Sequence, residues 1–412
     1  MKATIITVGT ELLFGKIADT NSAYISAELQ NLGVDVMYRH TVGDNPDRLR
    51  KMLAVSFEDC DLVITTGGLG PTQDDLTKEI VTQFLGDQLA THAASLESIT
   101  TFFQRLQRPM TENNKKQALM PTKAVVFDNL HGTAPGFALT TSGRTAICLP
   151  GPPREMKAMF ERHVKPYISS KSHETIYYRM LRTFGIGESS LESALEDLIA
   201  NQTDPTIATY AKEGECSLRI ASKKPDSEQA KAAVQAMSDV VMERVGEYVF
   251  SDNDEDMHQV VGNELIRRNI SISCAESCTG GMFAARLTDI PGISAVFNRG
   301  FVTYSNEAKN QELGVPIDTI RTYGAVSEET AVSMATGLKD KTGSNICISV
   351  TGIAGPDGET VEKPVGLIYI CCIFDDKIVC KRFLGRNSGR DWNRNYAVLN
   401  MFNIIWRLLK DQ

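Results

Sequence analysis

Apolar positions along this chain follow two rhythms. Short runs rich in apolar and β-branched residues, such as Ala3–Val8, Asp61–Thr66 and Asn345–Val350, predict buried strands. Between them lie longer stretches of helical patterning. In the first half, helices are predicted over Asn21–Leu32 (closed by Gly33), Pro46–Phe57, Thr77–Leu85 and Arg154–His163, and further strands over Val34–Tyr38 and Thr145–Leu149. Alternation of this kind implies a parallel sheet wrapped by helices, with ligands collecting beyond the C-terminal ends of the strands. From Ser169 the pattern changes. Strand-like Thr175–Phe184, a helix over Leu191–Ile199, strands near Thr206–Ala211 and Cys216–Ser222, and a long helix over Glu228–Val245 make a small α+β module, read as a spacer or dimer-shaping unit. The acidic run Ser251–Asp256 reads as a linker. After it come a helix over His258–Asn269, a strand over Ile270–Cys274, a helix over Val326–Thr342 with Ser327 as N-cap, and a final helix over Asp391–Lys410. The predicted fold is α/β, in three domains over 1–168, 169–254 and 255–412.

The length of 412 residues suits that division, at ~100–200 residues per domain. A net charge of −8 and the lack of a basic, aromatic-interleaved surface argue against direct nucleic-acid binding. No run approaches the ~20 apolar residues of a membrane span, and the N-terminus is too short an apolar run for a signal peptide, so no membrane association and a cytoplasmic location are expected. The nine cysteines include no C-x-x-C pair, which fits a reducing compartment. Cys371 and Cys372, neighbours on a strand, should point to opposite faces as core filler. Apolar faces on the middle module suggest a homodimer.

Two stretches carry candidate chemistry. In Gly67-Gly68-Leu69-Gly70-Pro71-Thr72-Gln73-Asp74-Asp75, the glycines let backbone approach a charged group. The carboxylates of Asp74 and Asp75, with Thr72, offer oxygen ligands to a divalent cation such as Mg²⁺. The plainer reading is a surface turn capped by Asp. The loops Asn129–Gly136 and Leu149–Met156 are rigid turns or ligand contacts. In the last third, Ala275-Glu276-Ser277-Cys278-Thr279-Gly280-Gly281 links a strand to a helix. Such a turn can hold a phosphate, or it can present a nucleophile beside an oxyanion hole. None of the six histidines lies after His258, so a Ser-His-Asp arrangement within this domain is unavailable. The proton of Ser277 must then go to a lysine or a tyrosine, and Tyr304 and Lys309 sit together after a predicted strand.

The first half resembles the molybdopterin-binding family of the MoaB, MogA and MoeA type, and more closely the N-terminal domain of the CinA family. The resemblance rests on Gly9-Thr10-Glu11-Leu12-Leu13, Asp19-Thr20-Asn21, Gly67–Asp75, Asn114–Ala118, Gly132–Gly136 and Leu149–Met156. It implies a three-layer domain that binds a pterin, or hydrolyses ADP-ribose with a divalent cation. The implied site comprises Glu11, Asp19, Asn21, Gly67, Gly68, Gly70, Thr72, Asp74, Asp75 and Lys116, with Asp74 and Asp75 on the metal. Ala275–Gly281, Arg299–Lys309, Gly324–Ser327, Thr351–Gly358 and Lys363–Gly366 resemble the CinA C-terminal domain, the PncC type that deamidates nicotinamide mononucleotide without a cofactor. That resemblance implies Ser277 as nucleophile, assisted by Lys309 and Tyr304. It places Cys278, Thr279, Gly280, Thr351 and Gly352 at the substrate, with Arg390 on its phosphate. Arg386 is an alternative to Arg390, and Cys278 is a rival nucleophile. The whole chain is similar to a full-length CinA protein.

Overall fold

The structure is a computed structural model and describes residues 1–171, 175–212, 214–385 and 388–410. The chain forms two compact units, Met1–Tyr178 with Ala221–Val234 and Arg179–Ile220 with Gln235–Gln412.

The first unit is built on a six-stranded sheet in the order Asp35–Val42, Lys2–Val8, Leu62–Thr66, Arg144–Leu149, Gly136–Thr141, Val125–Phe127. The first four strands are parallel, as the alternation implies, but the last two are antiparallel. The physical reason is local. Ser142 and Gly143, at φ 49° and 80°, form a two-residue turn that sends the chain straight back. Both faces of the sheet are covered. Ile6 and Val8 pack with Leu49, Leu53, Ile80 and Val81, whereas Ala3 and Ile5 pack with Ile25, Leu29, Met156 and Phe160. This three-layer burial explains the continuous apolar runs, since each large side chain removed from water contributes ~1.5–3 kcal/mol. The strand expected over Val34–Tyr38 extends to Val42, pairing along all of Lys2–Val8. As an edge strand with Met37 and Tyr38 exposed, it lacks the apolar signature.

The second unit carries a five-stranded sheet, Phe297–Val302, Ile272–Glu276, Ile346–Gly352, Leu367–Phe374, Lys377–Leu384. Its first three strands are parallel and the last two antiparallel. Cys274, Ile348 and Cys372 face the helices Met257–Arg268, Met282–Thr288 and Arg390–Lys410. There Phe283 stacks on Phe402 with ring centres 4.4 Å apart. Ala275, Cys347 and Cys371 face the helix Glu328–Thr342 instead. The expected opposite facing of Cys371 and Cys372 therefore holds. A separate four-stranded sheet orders Thr206–Lys212, Glu215–Lys224, Thr175–Phe184 and Val249–Ser251.

The acidic run read as a linker is firmly structured. Ser251 Oγ accepts from the N–H groups of Asn253 and Glu255 at 3.2 and 3.1 Å. Asp256 caps the helix Met257–Arg268 and pairs with the buried Arg182, which also meets Glu215 at 2.6 Å. Among the described residues, no helix is long and apolar enough to cross a membrane.

Candidate active site

In the second unit, three adjacent parallel strands end side by side, at Glu276, Val302 and Gly352. Each strand end feeds a loop that carries candidate residues. After Glu276 the chain turns sharply, with Gly280 and Gly281 at φ 62° and 93° and the Gly280 N–H closing onto Ser277 O at 3.1 Å. A side chain resists such positive φ values, so the glycines are required by the turn.

Glu276 supports this turn from within. Its carboxylate is fully buried and accepts from the N–H groups of Gly281 (3.0 Å), Phe283 (3.1 Å) and Ala284 (2.9 Å) at the start of the helix Met282–Thr288. A negative side chain at a helix N-terminus meets both the free donors and the dipole. Glu276 thus occupies the donors that an external phosphate would need, which favours a nucleophile turn over a phosphate loop. Sequence reasoning missed this role. The available signal was a carboxylate closing an otherwise buried strand.

Ser277 Oγ lies 3.1 Å from Lys309 Nζ. Lys309 is 1% exposed, and its Nζ also contacts the carbonyls of Thr303 (2.9 Å) and Tyr304 (3.2 Å). Ser305 positions it by capping the helix Asn306–Leu313, accepting from Ala308 N at 3.0 Å. No carboxylate pairs with the Lys309 ammonium among the described residues. Burial pushes its pKa below the usual lysine value, with the nearby Cys278 thiol opposing. The Ser305 carbonyl lies a little farther from Nζ, at 3.5 Å. A lysine nitrogen that has given up one proton keeps a lone pair that can turn to the Ser277 hydroxyl.

Tyr304 is elsewhere. Its ring is 58% exposed, and its hydroxyl accepts from Arg390 at 2.9 Å, while Lys309 meets only its backbone carbonyl. Tyr304, expected to assist Ser277 with Lys309, thus reaches Lys309 through its backbone carbonyl and not through its hydroxyl. The side chain is anchored by Arg390, which also donates to Gly355 O at 2.7 Å. Arg390 opens the helix Arg390–Lys410. Arg386 lies outside the described residues. Thr351 Oγ1 donates to Ala325 O at 2.7 Å, so its proton is already engaged. Thr279 is buried with its Oγ1 unpartnered. A Cβ on Gly352 would meet Leu367 O at 2.8 Å and Cys278 Sγ at 3.2 Å, so Gly352 is a packing glycine. Cys278 is buried and its thiol is pushed up to about 12 by that burial. A thiol so buried, with its pKa raised, is poorly placed to act as the rival nucleophile, and only the backbone of Cys278 is left to meet a substrate. Arg394, also missed, donates to Thr279 O at 2.8 Å. Its spacing of four from Arg390 on one helix was the available signal.

The first unit has a second candidate site at its parallel strand ends. Gly67 sits at φ 104°, its N–H bonds Leu149 O at 3.0 Å, and a Cβ there would fall 2.1 Å from Val8 O. A Cβ on Gly68 or Gly70 would likewise strike Thr77 Oγ1 or the Asp75 carboxylate. Asn21 donates to Thr66 Oγ1 (3.0 Å) and Gly151 O (2.7 Å), while its buried Oδ1 has no partner. Asp19 caps the helix Thr20–Asn31 through Ser22 N at 2.9 Å, and Glu11 is exposed in the short helix Thr10–Leu13. Asp75 Oδ2 accepts from both the N–H and the hydroxyl of Thr72, closing a local turn. Lys116 holds that turn through the carbonyls of Thr72 and Asp75, and Asp74 is exposed. Lys78, which sequence reasoning passed over, is buried beneath, bonds Lys116 O at 2.8 Å, and is lowered to about 8 by burial. Among the described residues, no three His, Cys, Asp or Glu side chains form a metal cluster.

Three family models match the chain. Residues 4–170 match the family described as "Probable molybdopterin binding domain", residues 178–251 the "Damage-inducible protein CinA KH domain", and residues 254–409 the "CinA C-terminal domain". A "Putative competence-damage inducible protein" of Acetivibrio thermocellus is 49% identical over 407 residues, covering 99% of this chain and 98% of that protein. A "CinA-like protein" of Dictyoglomus turgidum is 45% identical, covering 99% of each. The crystal structure of the protein CinA from Thermoplasma acidophilum is 34% identical, covering 40% of this chain and 96% of its own, with a TM-score of 0.37. With relatives this similar over nearly the full length, the chain belongs to the CinA family.

Proposed function

We propose that the second unit hydrolyses the carboxamide of nicotinamide mononucleotide to nicotinate mononucleotide and ammonia. The observation that carries this reading is the contact of Ser277 Oγ with the buried, charge-unpartnered Lys309 amine. Lys309 takes the Ser277 proton as Oγ bonds to the carboxamide carbon. The resulting oxyanion is met by the N–H groups of Cys278 and Thr279. The C–N bond then breaks, and the proton on Lys309 passes to the departing nitrogen, releasing ammonia. Water adds to the acyl ester and gives its proton to Lys309. The acid leaves, and the proton returns to Ser277 Oγ. Arg390, exposed and held by Gly355 and Tyr304, is suited to the 5′-phosphate. The test is ammonia release from nicotinamide mononucleotide by wild type and Ser277→Ala. Release abolished by the substitution is expected. Release that survives it, or none from wild type, overturns the reading.

A second reading concerns the first unit, and the unpartnered buried Oδ1 of Asn21 beside the glycine loop favours it. We propose that this site binds a phosphate-bearing ligand such as ADP-ribose. Asp74 and Asp75 do not form a closed cage, so they fit a cation such as Mg²⁺ only as one shared with ligand phosphates and water. The cation would supply charge neutralisation at the phosphates. Magnesium-dependent cleavage of ADP-ribose separates this reading from simple binding.

A further inference from the structure

Arg394 touches the nucleophile turn from the side of the C-terminal helix. Its Nη2 donates to Thr279 O at 2.8 Å and lies 3.6 Å from where a Gly280 Cβ would sit. Its Nε is buried with no partner, and its nearest carboxylate, Asp391, is 4.0 Å away. A cation that bonds a backbone carbonyl in preference to an ion pair is held by the shape of that carbonyl's surroundings. The carbonyl belongs to the peptide joining Thr279 to Gly280, whose N–H closes the turn onto Ser277 O. Fixing that peptide plane fixes Gly280 at positive φ and, with it, the preceding N–H groups of Cys278 and Thr279. Glu276 grips the same turn from the helix that follows it. The turn is therefore clamped between a buried anion and a cation, with Ser277 and the N–H groups of Cys278 and Thr279 between them.

We propose that Arg394 is a positioning residue for the oxyanion turn, acting through the Thr279 carbonyl and not through the substrate phosphate. This rests on the amidase reading of the Ser277–Lys309 pair. In a positioning role, Arg394 supports charge that develops only as the tetrahedral intermediate forms, so its removal lowers kcat and leaves KM almost unchanged.

The test compares full-length wild type, Arg394→Met and Arg394→Lys on nicotinamide mononucleotide and on nicotinamide riboside, which lacks the phosphate. The expected result is a fall in kcat of about tenfold or more for Arg394→Met, with KM within about twofold. The same fold-loss is expected on the riboside, with partial recovery in Arg394→Lys. A rise in KM confined to the phosphorylated substrate would make Arg394 a phosphate ligand and overturn the proposal, as would an unchanged kcat. Misfolding is separated by adding ethylguanidinium to Arg394→Ala. Recovery of rate supports the positioning role, and no recovery with a lowered thermal midpoint opposes it. A second arm does not need the amide substrate: labelling of Ser277 by a fluorophosphonate, followed by intact mass. Slower labelling of Arg394→Met than of wild type supports the proposal even if wild type releases no ammonia and the amidase reading fails. Equal labelling rates, or a wild type left unlabelled, overturn it.

Discussion

Lys309 concentrates the chemistry of the second unit in one side chain. Burial lowers its pKa, and the neutral amine is the form that accepts a proton from Ser277. The sign follows directly. As pH rises through the depressed pKa, the base form grows, so kcat/KM for ammonia release should climb and then level below the usual lysine range. A pH–rate profile that is flat or falls over that window would remove Lys309 as base. Lys309→Ala should lose about 10²–10⁴-fold in kcat. Tyr304→Phe should behave differently. Its hydroxyl serves Arg390, so KM for the phosphorylated substrate should rise severalfold while kcat changes little. Equal losses in kcat and kcat/KM would instead put the phenol at the reacting atoms. Ser277 and Lys309 were legible because each lies in a motif that could be quoted as it stands. The partner of the Tyr304 hydroxyl was not, because it comes from a residue far along the chain, brought close only by the docking of the last helix. Glu276 and Arg394 were missed although each left a faint signal, because both side chains bond backbone groups and the residue types around them do not name those partners.

Turns and caps decide more than the regular elements do. The strand Ile272–Glu276 and the helix Met282–Thr288 are joined by a turn whose helix entry depends on the Glu276 carboxylate. Glu276→Gln keeps the shape but replaces one acceptor oxygen by an NH₂ group that faces backbone donors. Loss of about 1–3 kcal/mol of stability is expected, read as a lower midpoint in urea, together with slower turnover. Unchanged stability would mean that water or a rearranged amide replaces the bond. Gly67→Ala should be harsher, since its Cβ would overlap Val8 O and φ is 104°. Poor soluble yield or an early melting step is the expected outcome. The strand runs around this loop were readable, but its glycines were expected to admit a charged ligand, and the close approach found is to Val8 O, Thr77 Oγ1 and the Asp75 carboxylate. The antiparallel strands Gly136–Thr141 and Val125–Phe127 were not, since Ser142-Gly143 as a tight turn sits among other Gly- and Pro-containing loops. The acidic run Ser251–Asp256 looked like a linker because charge is the mark of exposure. Arg182 and the cap at Asp256 bring part of it into fixed contacts.

For the whole chain, the two units carry separate strand-end sites on separate sheets. Their chemistries should separate by substitution. Ser277→Ala should abolish ammonia release and leave any magnesium-dependent ADP-ribose cleavage in place, and Asp75→Asn should do the reverse. One substitution that removes both, in a protein that still unfolds at the wild-type midpoint, would show that the sites are not independent. The α/β class was legible throughout, because buried parallel strands announce themselves by apolar runs. The nine cysteines carry a further consequence. All are free, and eight are buried. Cys278, the one beside Ser277, is buried, and that burial pushes its thiol up to about 12. In the proposed reaction the attacking atom next to it is oxygen, which peroxide and alkylating reagents leave alone. The proposed ammonia release should therefore persist through peroxide treatment that would silence a thiol-dependent amidase, with no reductant needed to recover it.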